Sequence, residues 1–142
     1  MAVSTLATTV FLAHSPRDKV DALQVKKRLA DEGISVQTVD ALPEKDLASE
    51  MRDAIAECEA FVVLATEAFV HSANLAFEIG AARAWQKPIY ILAKDLSKAG
   101  LPKYLREFPV IPYAALERLA EQIHRQIAAK FDRATQSRES KK

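Results

Sequence analysis

One carboxylate in this sequence has neighbours and spacing suited to chemistry. Glu78 lies in the segment Phe69-Val70-His71-Ser72-Ala73-Asn74-Leu75-Ala76-Phe77-Glu78-Ile79-Gly80-Ala81-Ala82. Ser72 or Asn74 can cap a helix there, and Glu78 then falls about one turn inside it. The small residues Ala76, Gly80, Ala81 and Ala82 predict close packing around the helix, leaving Glu78 over an open pocket. A lone carboxylate in a crevice can hydrogen-bond ribose hydroxyls, stabilise an oxocarbenium-like transition state or attack an anomeric carbon. The alternative is a solvated residue that complements the helix dipole.

Other reactive residue types are poorly arranged. His14, His71 and His124 have no HxxxH or His-Cys spacing, so a metal site is not expected. Ser15 beside His14 lacks the G-x-S-x-G elbow of a serine nucleophile. Cys58, the single cysteine, ends the apolar face of a helix and reads as a packing residue. Only three glycines are present, Gly33, Gly80 and Gly100, which excludes a Gly-rich phosphate cradle.

Five strand-like segments alternate with helical ones and must position Glu78. Thr8 to Ala13 and Ala60 to Ala65 are continuous β-branched or apolar runs, as expected of strands covered on both faces. Pro88 to Ala93 is a fourth strand. Ile34 to Val39 alternates polar and apolar residues and reads as an edge. Pro109 to Tyr113 holds two prolines in five residues and reads as the other edge. Pro16 opens a helix that carries Val20, Leu23, Val25 and Leu29 on its apolar side and stops at Gly33. Leu47, Met51, Ala54, Ile55 and Cys58 mark a second helix, residues from about Asn74 to Gln86 a third with Trp85 in the core, and Leu116 to Phe131 a last. This pattern predicts a three-layer, flavodoxin-like α/β fold with a five-stranded parallel sheet of order 2-1-3-4-5. Its ligand crevice opens at the carboxyl ends of strands one and three, lined by His14 to Asp18 and Thr66 to Ala73.

The 142 residues suit one domain, expected over residues 7–132 with a polar tail at 133–142. Twenty Lys plus Arg against nineteen Asp plus Glu leave a formal charge of +1, without the basic excess of a nucleic-acid or membrane-surface binder. The apolar runs are far shorter than the roughly 20 residues that span a bilayer, and no secretory leader is evident. A cytoplasmic protein is expected.

Several segments, taken in order, resemble the Toll/interleukin-1 receptor (TIR) domain family. Phe11-Leu12-Ala13-His14-Ser15-Pro16-Arg17-Asp18 is similar to the family's opening box. Val39-Asp40-Ala41-Leu42-Pro43-Glu44-Lys45-Asp46-Leu47 resembles its BB loop, where an acidic residue ends the second strand. Ser72 and Glu78 fit its S-x-W-C-x-x-E pattern, and Lys87 to Leu92 fits its fourth strand. The likeness runs from about Val10 to Leu92.

In the enzymatic branch of that family the matching glutamate cleaves the nicotinamide–ribose bond of NAD. The resemblance therefore implies Glu78 as the catalytic residue, NAD or a related nucleotide as substrate, and no cofactor. The expected substrate contacts are His14, Ser15, Arg17, Asp40, Ser72, Asn74 and Phe77. Leu42, Pro43 and Glu44 of the 40–46 loop are expected to mediate homo-oligomer assembly. A free-standing enzyme of this kind would produce an ADP-ribose-derived signal, similar to those of bacterial antiphage defence. Asn74 and Leu75 replace the Trp and Cys of the pattern, which leaves Phe77 or Trp85 to form an aromatic wall. Two other readings stand beside this one. Phe11-Leu12-Ala13 and Glu78-Ile79-Gly80-Ala81-Ala82 also resemble nucleoside 2-deoxyribosyltransferase-like N-glycosidases. The lost Trp-Cys pair is compatible with a non-catalytic interaction module.

Overall fold

The computed structural model describes residues 8–39 and 47–140. Its strands are β1 (Thr8–Ala13), β2 (Ile34–Gln37), β3 (Ala60–Ala65), β4 (Ile89–Ala93) and β5 (Val110–Pro112). Its helices are α1 (Lys19–Asp31), α2 (Leu47–Glu57), α3 (Ala73–Ala84) and α4 (Leu116–Ser140). The strands form one parallel sheet in the order β2-β1-β3-β4-β5. The winding therefore reverses between β1 and β3, as the strand compositions predict.

Alternation along the strands builds a core on each face of the sheet. Val10, Leu12, Val62, Leu64, Tyr90 and Leu92 pack with Val25 and Leu29 of α1 and Leu116, Leu119 and Ile123 of α4. Phe11, Phe61, Val63 and Ile91 pack with Ile55 of α2 and Leu75 and Ile79 of α3. Phe11 and Phe61 are register partners, and their rings stack with centroids 5.8 Å apart. The proline before β4 and the one before β5 lose no acceptor: Pro88 and Pro109 carbonyls accept from Phe61 and Ile91 N–H groups. Gly33 ends α1 at φ +79°, the left-handed conformation that glycine adopts most readily.

Four expectations are corrected. Val20 and Leu23 are 71% and 64% exposed, because α1 buries the face carrying Ala22, Val25 and Leu29 instead. Ala22 is small, so a hydrophobic pattern weights it too little to place that face. Trp85 is not in the core; it stands at the C-cap of α3 and is half exposed. Gly80 lies on the open side of α3, where an added Cβ would meet nothing within 4 Å, so it is not needed for close packing. The last helix continues to Ser140 rather than ending near Phe131. Its final residues are polar but include good helix formers such as Gln136, Arg138 and Glu139. No helix among the described residues is long and apolar enough to cross a membrane.

Candidate active site

The crevice at the carboxyl ends of β1 and β3 holds a cavity of about 260 Å³. Its walls come from four places. His14, Ser15 and Pro16 follow β1, Val39 follows β2, Met51 projects from α2, and Ala68, Phe69, Ser72, Asn74, Phe77 and Glu78 come from the β3–α3 segment. Two serines shape the loops. Ser15 Oγ accepts the N–H of Arg17 and Ser72 Oγ that of Asn74, each at 3.2 Å. Both are N-caps, so both loops turn into helices at the cavity rim. Thr66 Oγ1 donates to Asp18 Oδ2 at 2.6 Å and ties the segment after β1 to the one after β3.

Glu78 faces this cavity and is only 6% exposed. Its Oε2 is shut from solvent and has no hydrogen-bond partner among the described residues. Burial pushes the carboxyl up to about 7. Such a group costs stability when ionised, and it gains from a ligand that brings hydroxyl donors or positive charge. His14 is also buried, with Nδ1 2.8 Å from the Ser15 carbonyl oxygen. A carbonyl only accepts, so Nδ1 carries the proton in that contact.

Six of the residues expected at the site thus share one cavity: His14, Ser15, Ser72, Asn74, Phe77 and Glu78. Arg17 is exposed on the helical turn after Ser15, and Pro16 lines the wall in its place. Phe77 supplies an aromatic edge, whereas Trp85 does not line the cavity. Asp40, Leu42, Pro43 and Glu44 lie outside the described residues. Sequence reasoning missed Val39 and Met51, whose apolar types and positions carry the same signal as core residues, whereas Phe69 falls in the 66–73 segment expected at the crevice. Asp18 occupies the N-cap position of α1 without a side-chain capping bond; its carboxylate serves Thr66 instead. Ser72, rather than Asn74, caps α3.

A second cavity, of about 290 Å³, lies between β2 and α2 and is lined by Glu50, Asp53, Glu57 and Cys58 among others. Burial pushes the Cys58 thiol up to about 12, which leaves it inert as a nucleophile. Among the described residues no group of three or more His, Cys, Asp or Glu is placed to hold a metal ion.

A doubly wound parallel sheet with a buried carboxylate beside a cavity at its switch point defines the α/β class of this protein. Within that class, residues 10–128 match the TIR domain family, and the chain belongs to it. Solved structures agree on the fold. The TIR domain of the Toll-related receptor TRR-2 from Hydra magnipapillata superposes with a TM-score of 0.62 at 14% identity, covering 85% of this chain and 95% of that one. The CMP N-glycosidase BcmB of Clostridium botulinum gives a TM-score of 0.58 at 20% identity, covering 82% and 99%. The TIR domains of the activated Roq1 resistosome, which recognises the pathogen effector XopQ, give 0.56 at 19% identity over 65% of this chain. This chain spans 60% of the length of that Roq1 chain. No curated protein matches the sequence at a significant level.

Proposed function

We propose that this TIR domain is an N-glycosidase that cleaves the nicotinamide–ribose bond of NAD, with Glu78 as the catalytic carboxylate. The observation that carries the reading is the buried, unpartnered Oε2 of Glu78 beside the switch-point cavity. In this reaction the C1′–N bond breaks and its electron pair leaves with nicotinamide, which departs neutral and needs no proton. The ribosyl cation left behind takes the oxygen of water, whose proton passes to the carboxylate or to solvent. Glu78 in its ionised form stabilises that cation and accepts hydrogen bonds from the ribose hydroxyls. Attack by a nitrogen of the adenine in place of water would give the cyclised product.

A single carboxyl group lines the cavity among the described residues. A pyridinium leaving group needs only that carboxylate, whereas a neutral base would need an acid to protonate it as it departs, which His14 on the same wall would have to supply. The second reading, hydrolysis of a pyrimidine nucleotide, draws on the likeness to a CMP N-glycosidase along nearly the whole of that enzyme. In the reading we favour, the 40–46 loop completes a self-associating assembly that releases an ADP-ribose-derived signal in the cytoplasm, as part of antiphage defence. Similarity to the TIR domains of a resistosome supports assembly.

Incubation of the purified chain with NAD, CMP and deoxynucleosides plus free base, followed by chromatography, separates the readings. Nicotinamide release supports the first, cytosine release from CMP the second, and base exchange a transferase. Silence in all arms at high protein concentration would leave a non-catalytic interaction module.

A further inference from the structure

We propose that the cavity is a ribose 5-phosphate subsite, in which Glu78 takes the ribose diol and the N-terminus of α3, with Ser72 and Asn74, takes the 5′-phosphate. The inference rests on the glycosidase reading above and adds where the substrate's phosphate sits. α3 is a helix of 12 residues whose first turn opens onto the cavity. Of its first four N–H groups, counted from the cap, that of Ser72 goes to the Phe69 carbonyl and that of Asn74 to Ser72 Oγ, which leaves those of Ala73 and Leu75 for a ligand. The positive end of the helix dipole points the same way.

Glu78 is an independent sign of a ligand in that space. It is buried, unpartnered at Oε2, and about one and a half turns from the helix start. Helical side chains lean toward the N-terminus, which brings its carboxyl back over the first turn. The gap between the helix end and the carboxyl is then on the order of one turn, about 5.4 Å. A ribose with a phosphate on C5′ spans a similar few ångströms from diol to phosphate. Neither Lys nor Arg lines the cavity among the described residues, so the backbone N–H groups are its positive element there. At about 260 Å³ the cavity lies just under the roughly 300–1,000 Å³ of drug-sized ligand pockets, which suits one ribosyl phosphate with its base and leaves the rest of a dinucleotide outside it.

The test begins with ligands that have no scissile base. The full chain is titrated with ribose 5-phosphate and with ribose, following amide shifts of residues 72–78 by NMR. Ribose 5-phosphate is expected to bind at least about tenfold more tightly, the scale of a helix-terminus contact with an anion. Asn74→Asp should erase that preference while keeping or raising the melting temperature, because an acid in the first turn favours the helix but repels the phosphate. Glu78→Gln should keep the preference even where all turnover is lost, so this subsite stands or falls separately from the glycosidase reading. Equal binding of the two sugars, shifts away from residues 72–78, or a preference that survives Asn74→Asp would overturn it.

Turnover adds a second arm. Nicotinamide mononucleotide and NAD should both exceed nicotinamide riboside in kcat/KM by about tenfold, and Asn74→Asp should narrow the gap. Mononucleotide cleavage equal to that of NAD assigns the phosphate to a mononucleotide. An advantage for NAD assigns it to the nicotinamide-side phosphate of a dinucleotide. Nicotinamide riboside cleaved as efficiently as both would contradict the subsite.

Discussion

Thr66 Oγ1 and Asp18 Oδ2 are 2.6 Å apart, and this hydrogen bond joins the two loops between which the sheet reverses its winding. The cavity that holds Glu78 lies at the same edge, lined by residues of both loops. Thr66 is buried and Asp18 half-buried, so the bond is shielded from water. Thr66→Val keeps the shape and removes the donor. It should lower unfolding free energy by about 1.5–3 kcal/mol, the range for hydrogen bonds to charged groups, as read by urea denaturation. A change below about 0.5 kcal/mol would mean the loops are held by other contacts.

The buried carboxyl of Glu78 makes stability depend on pH. Its value rises from an ordinary 4.5 to about 7 in the fold, so the folded state holds the proton more tightly than the unfolded one. Stability is therefore highest below about pH 4.5 as far as this group is concerned, and falls as pH rises toward 7. The loss amounts to about 3 kcal/mol. The advantage of Glu78→Gln over the parent should grow by about that amount between pH 4 and pH 8. A constant difference across the range would show that the carboxyl is not desolvated.

The same group sets a pH profile for turnover. Only the ionised carboxylate stabilises a ribosyl cation, so kcat/KM should rise with pH through about 7 and then level off. A bound pyridinium lowers the carboxyl's value, so the inflection in kcat should lie below that in kcat/KM. Coincident inflections would argue against a cationic substrate beside Glu78.

Two leucines of α1 test which face of that helix is buried. Leu29 is 1% exposed and Leu23 is 64% exposed. Leu29→Ala should cost about 2–5 kcal/mol, and Leu23→Ala within about 0.5 kcal/mol. Equal costs would restore the face expected from the sequence.

The sheet order was legible because edge and central strands differ in composition: Ser35 and Gln37 alternate with apolar residues, while Phe61 to Leu64 do not. The switch-point rule then located His14, Ser15, Ser72 and Glu78 without any contact being known. What the sequence hid was direction. Ala22 carries too little hydrophobicity to show that it faces the core, so α1 was expected to bury Val20 and Leu23. Arg17 follows Ser15 in sequence, yet the helical turn aims it outward. Met51 and Val39 look like core residues because an apolar wall of a cavity and an apolar core have the same composition.

The most direct measurement is nicotinamide release from NAD at about pH 8, above the Glu78 inflection, by the parent chain and by Glu78→Gln at equal concentration. Circular dichroism establishes that both are folded. The account predicts release by the parent and a loss of about a thousandfold or more in the variant. Comparable release by both proteins would contradict it.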